Sequence, residues 1–126
     1  MEISIISGDI SIRAQTRDTA TARAILATLP IQSCAQTWGD EVYFAIAATA
    51  ELENNAKQVV EAGEIAFWTQ GNSIAIGFGP TPMSHGDEIR LAAPTNIWAD
   101  AIDDVTLLSE VKTGDEIHVK INQTAT

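Results

Sequence analysis

Residues 63–82, GEIAFWTQGNSIAIGFGPTP, hold the side chains of this sequence best suited to gripping another molecule. Gln70-Gly71 reads as a two-residue turn, with glycine allowing positive φ. That register pairs Trp68 with Ser73, Phe67 with Ile74, Ala66 with Ala75 and Ile65 with Ile76. A strand alternates faces with period two, so Ile65, Phe67, Ile74, Ile76 and, farther along, Phe78 form a core face. The opposite face carries Glu64, Ala66, Trp68, Ser73, Ala75 and Gly77, one large ring in a row of small residues. Such a face leaves room for another object to lie on the sheet. That object is either the chain's own loop, GPTPMSHG, or an external ligand with the loop as one wall. The chemistry on offer is recognition: contact with the indole of Trp68 and hydrogen bonding to the amide of Gln70.

The segment after the hairpin reads as that wall. Pro80 and Pro82 lack a backbone donor and fix φ near about −65°, so GPTP cannot continue a central strand. A stiff arm is expected, carrying Thr81 and Ser84 and loosening through MSHGD before EIR returns. Glu88 and Arg90 share parity on an extended return and would project together as an opposite-charge pair. Asn96 and Trp98 share a strand face, either packed under the long loop or turned to the groove.

Other chemistry has little support. His85 and His118 are far apart and have no Cys partner, which argues against a zinc site. The group His85, Asp87 and Glu88 reads as a solvated loop rather than an ion site. Ser84 and His85 are chain neighbours without the strained turn of a catalytic nucleophile. GFGP lacks the lysine and following helix of a phosphate loop. Cys34 reads as a small packed residue, and Asp40-Glu41 and Asp103-Asp104 as turn and helix-cap acids. No metal and no cofactor is expected.

These residues must be positioned by strands. MEISI and DISIRAQ alternate around SGD as two strands. RDTATARAILATLP changes period, placing Ala22, Ile25, Leu26 and Leu29 on one face of a helix over about 18–29, with Asp18 or Thr19 as cap and Pro30 as stop. IQSCAQTW, EVYFAIAA, TNIWADAI and GDEIHVKI read as strands, residues 51–62 as a strand end and loop, 79–94 as irregular, and 103–110 as a helical turn. Many short strands with few helices predict an all-β barrel or sandwich with a capping helix. At 126 residues, with 45% hydrophobic and 19% charged residues, the chain is expected to form a single domain. A net charge of −10 disfavours nucleic acid and anionic membranes as partners. The absence of a long apolar run or a basic leader, together with one cysteine, predicts a cytoplasmic protein.

TATARAILATLP, WGDEVYFAI, GEIAFWTQGNSIAIGFGPTP, EIRLAAPTNIW and LLSEVKTGDEIHV resemble, in the same order, the small cyclophilin-like proteins of bacteria and archaea. FGPTP followed by EIR and PTNIW is the most specific part. The resemblance implies a closed cyclophilin-like β-barrel, related to the peptidyl-prolyl cis/trans isomerases, in a family without an established activity. More locally, FWTQG is similar to the cyclophilin groove motif Phe-Met-x-Gln-Gly at Phe67, Trp68, Gln70 and Gly71. The motif implies a groove position for Phe67, whereas the hairpin register turns it inward. Cyclophilins carry an Arg ahead of that Phe, at the place where this chain has Ala62. The amide barrier is about 18–20 kcal/mol, and loss of a charged donor at its transition state costs a few kcal/mol. Arg13 or Arg90 would have to replace it.

The candidate ligand-binding set is therefore Arg13, Phe67, Trp68, Gln70, Phe78, Thr81, Ser84, Glu88, Arg90, Asn96 and Trp98. The leading expectation is a module that binds a small molecule or peptide in an outer-face groove, without efficient isomerase activity. The alternatives are a weak prolyl isomerase using a relocated Arg, and a structural module whose Trp68 face is a homo-oligomeric interface.

Overall fold

The computed structural model describes residues 1–122. Its elements are β1 (Glu2–Ser7), β2 (Ile10–Thr16), α1 (Ala20–Leu26), β3 (Ile31–Cys34), β4 (Gln36–Thr37) and β5 (Glu41–Ala45). There follow β6 (Lys57–Val60), β7 (Glu64–Trp68), β8 (Ser73–Gly77), β9 (Ile89–Ala101), a 3-10 helix (Val105–Glu110) and β10 (Glu116–Ile121). The main sheet runs β3-β10-β1-β2-β9-β7-β8-β5-β4, with every pairing antiparallel. Its ends approach each other where Ser33 Oγ donates to the Ala45 carbonyl at 2.7 Å, giving a nearly closed barrel. Among the described residues no helix is long and apolar enough to cross a membrane.

Alternation fills the interior. Ile3, Ile5, Ile12, Val42, Phe44, Ile65, Phe67, Ile74, Ile76, Ile117 and Val119 all point into one buried cluster. The helix is shorter than the expected 18–29. Thr19 caps it, its hydroxyl accepting from Ala22 N at 3.0 Å, and the helix ends as Thr28 N bonds back to the Ile25 carbonyl. Its apolar stripe puts Ala22 and Ile25 into the barrel cluster, where the helix acts as a cap. The expected helical turn is the 3-10 helix, capped by the Asp104 side chain on Thr106 N.

Three strand expectations need correction. IQSCAQTW is two strands, because Ala35 bonds to Asp115 and Gly114 through its backbone and the chain changes partner there, from β10 to β5. Residues 51–62 contain the whole of β6, which pairs with β9 off the main sheet. The irregular segment ends at Gly86–Glu88, since β9 begins at Ile89 and runs 13 residues through Pro94. Pro94 is tolerated because the β6–β9 ladder is broken there: Val59 pairs with Arg90, but Lys57 pairs with Thr95. Ala92, Ala93 and Pro94 lie in the resulting bulge, where no ladder donor is required.

The hairpin register is the expected one, from Trp68↔Ser73 to Ile65↔Ile76. What lies on its small-residue face is the β6–β9 ribbon rather than the GPTP loop. Val60, Ile89, Leu91 and Ile97 form a second apolar cluster with Ala66 and Ala75, and Tyr43 packs at its margin. The small residues make room for these side chains. A Cβ on Gly77 would come within 2.4 Å of Ile89 Cγ2, closer than packed carbons can approach.

Candidate functional site

The ribbon does not cover the whole outer face. Between the barrel wall and the β9 bulge remains a cavity of about 170 Å³. The antiparallel register Glu41↔Gly77 and Tyr43↔Ala75 sets Glu41 and Tyr43 beside Ala75 on the outward side, and Trp68 flanks them from β7. All four line the cavity, together with Trp38 from the end of β4. The other side is Leu91, Ala92, Ala93 and Thr95. That side is held down by Gln58 Nε2 donating to the Leu91 carbonyl at 3.0 Å and by Thr95 Oγ1 donating to the Lys57 carbonyl at 2.8 Å.

The rings are held from outside the cavity. Trp68 Nε1 donates to Gln70 Oε1 at 3.2 Å, and Tyr43 Oη donates to Gln36 Oε1 at 3.1 Å. The Trp68 ring lies against the turn, so a Cβ on Gly71 would sit 2.3 Å from its Cζ3. Glycine is needed at that position for close approach. The positive φ expected there belongs instead to Asn72, at 46°.

Glu41 is the chemically unusual residue. It is only 6% exposed, and its buried Oε1 has no hydrogen-bond partner among the described residues. Burial without a compensating charge pushes its carboxyl up to about 7. It is therefore poised to change charge near neutral pH. An orphaned acid of this kind destabilises a fold, and such groups concentrate at functional sites.

Of the residues singled out from the sequence, Trp68 lines the cavity and Gln70 anchors its indole. The rest lie elsewhere. Phe67 is fully buried in the barrel, as the register required and the cyclophilin motif did not. Trp98 is fully buried too: a register shift between Ile65 and Ala66 lets both Trp98 and Ala99 turn inward, and Trp98 Nε1 donates to the Ala66 carbonyl. Asn96 is a buried structural hub, accepting from Glu53 N and donating to Thr21 Oγ1 and the Glu51 carbonyl. Phe78 packs at the margin of the barrel cluster. Arg13 forms a bidentate pair with Asp103, beside the 3-10 helix and away from the cavity lining.

The arm is a buttress rather than a wall. Phe78 N donates to the Asp40 carbonyl at 2.8 Å and Asp40 N to the Pro80 carbonyl at 3.0 Å, while Pro82 and Thr81 press on Gly39. These contacts hold the turn that separates Trp38 from Glu41. Farther on, the loop closes on itself. Thr81 Oγ1 donates to the Arg90 carbonyl, and Ser84 Oγ accepts from Thr81 N and Arg90 N. Glu88 and Arg90 pair as expected, at 2.7 Å, and the Arg90 hydrogen bond holds the Glu88 carboxyl below its ordinary value.

Sequence reasoning missed Trp38, Glu41 and Tyr43. The signal for two of them was present, because in EVYFA the residues Glu41 and Tyr43 alternate with the buried Val42 and Phe44. Reading Glu41 as a turn acid ignored that parity.

A family model described as Cyclophilin-like matches residues 1–120. Among solved structures, the solution structure of the hypothetical protein AF2241 from Archaeoglobus fulgidus is similar, with a TM-score of 0.82 and 34% identity over 95% of this chain and 93% of that one. The structure of McbB in complex with tryptophan is similar at a TM-score of 0.70 and 16% identity, over 98% of this chain and 46% of McbB, a likeness of fold. Comparison with curated protein sequences returned no match. Strand order, barrel closure, family match and the archaeal neighbour agree: the chain belongs to the cyclophilin-like family.

Proposed function

We propose that the protein binds a small molecule in the outer-face cavity bounded by Trp38, Tyr43, Trp68 and the β9 bulge. One observation carries the reading. Where the β6–β9 ribbon could have closed onto the barrel, three half-buried rings and a bulge of small residues leave an open space instead. At about 170 Å³ the space suits a single ring with its substituents, since an apolar cavity of about 150 Å³ takes benzene. That size favours a small molecule over an extended peptide. McbB, which shares this fold over 46% of its chain, has been described in complex with tryptophan.

Prolyl isomerisation has less support. Arg13 and Arg90 are both engaged with acids, and neither lines the cavity. The test is a screen of single-ring compounds and Ala-Pro peptides by ¹⁵N-edited NMR. Ring compounds are expected to shift the Trp38 and Trp68 indole N–H resonances, and Trp68→Ala is expected to abolish their binding. A screen in which no ring compound moves either indole, or in which only the peptides do, would sink the proposal.

A further inference from the structure

Resting on that reading, we infer that the cavity selects a small organic cation: a ring bearing an ammonium group, with the positive centre against Glu41 and the apolar part among the rings. Several observations converge on this class. Glu41 projects from the outward side of β5, and its buried Oε1 has no partner among the described residues. Among the described residues no Lys, Arg or His lines the cavity. Arg13, Arg23 and Arg90 pair with Asp103, Asp18 and Glu88, Arg17 pairs with Asp100 and Glu64, and Lys57 shares Glu64 with it. Among the described residues Glu41 forms no ion pair with any Lys, Arg or His, so it has no counter-charge there.

The rings favour the same occupant. The Trp68 N–H and the Tyr43 hydroxyl donate to Gln70 and Gln36, so these two rings offer their π-faces more than their polar ends. Electron-rich faces attract cations. Thr95, also in the lining, donates its hydroxyl to the Lys57 carbonyl. An anion entering this space would meet a carboxyl group, π-faces and no free cation. A cation would relieve the isolated carboxylate, and the protein's net charge of −10 would draw it in. Burial raises the Glu41 carboxyl to about 7, and an arriving ammonium would favour the ionised form.

The test uses three probes of one shape, benzylamine, benzyl alcohol and benzoate, titrated at about pH 8, above the Glu41 carboxyl's value. The readout is the indole N–H shifts of Trp38 and Trp68. Benzylamine, as its ammonium, is expected to bind at least about tenfold more tightly than benzyl alcohol, and benzoate not at all. In Glu41→Gln the preference should vanish, leaving benzylamine no tighter than the alcohol. If the ammonium and the alcohol bind alike in the wild type, the cavity reading stands and the cation inference is overturned. Preference for benzoate, or an ammonium preference that survives Glu41→Gln, overturns it as well. If none of the three shifts either indole, both readings fall together.

Discussion

Glu41→Gln raises the melting temperature by roughly 10 °C at about pH 8.5 and leaves it nearly unchanged at about pH 4. The folded carboxyl titrates at about 7, against an ordinary value of 4.5. The native state therefore holds this proton to higher pH than the unfolded chain does. Stability from this group is fully present below 4.5 and is lost as pH rises through 7, a loss of about 3 kcal/mol. Glutamine keeps the shape and removes the charge, so no cavity opens and the loss disappears. The paired acids have the opposite dependence. Glu64, lowered by its bonds to Glu61 N, Lys57 and Arg17 against the effect of burial, contributes above its unfolded value and loses that contribution as the solution is acidified. Paired thermal melts of wild type and variant across the pH range isolate the Glu41 contribution. Equal melting temperatures at about pH 8.5 would show that the carboxylate is solvated after all.

Asn96→Ala lowers stability by about 3 kcal/mol or more and leaves benzylamine affinity unchanged. Asn96 is fully buried, with Glu53 N at 2.8 Å, Thr21 Oγ1 at 3.0 Å and the Glu51 carbonyl at 2.8 Å. Thr21 in turn donates to Glu53 Oε2 at 2.6 Å, so one amide ties the start of the helix and residues 51–53 to β9. Alanine would take that partner from the half-buried Glu53 N–H, the Glu51 carbonyl and the buried Thr21 hydroxyl at once, and an unsatisfied buried group costs about 1–3 kcal/mol. Urea melts measure the loss. Affinity is read well below the variant's melting point, where the protein is still folded. A variant that keeps its stability and loses affinity would return Asn96 to the binding site.

The barrel was legible because its signals are local. Period-two alternation over Ile65–Phe67 and Ile74–Ile76 set both register and interior, and Thr19, with Pro30 after it, bracketed the helix. The site was half legible. Trp68 above Ala75 and Gly77 marked the face on which the cavity lies, but the other walls come from strands remote in sequence. Their meeting depends on β5 pairing with β8 and on the ribbon folding over both. Pro94 reads as a strand breaker until the β9 bulge is seen, and Trp98 reads as an outward candidate until the shift beside Ile65 turns it in. The proline arm was recognised for its stiffness, but stiffness does not say what it leans on. Gly39 decides that, by accepting Pro82 at its back.

The separation of the apolar residues into two clusters has a consequence for how the molecule opens. The large cluster fills the barrel, while the small one holds only the ribbon against its outside. Apolar clusters that share no side chains need not melt together, and a part held by fewer buried contacts opens at lower free energy than the whole. The outer part of the ribbon, β6 with residues 89–95 of β9, can therefore lift as a flap while the barrel keeps residues 96–101 of β9 between β2 and β7, and lifting it widens the space beside Trp68. Slow amide exchange in the barrel strands and faster exchange in Lys57–Val60 would be the signature of that hinge. A bound cation touching both flap and barrel would close the gap between the two rates.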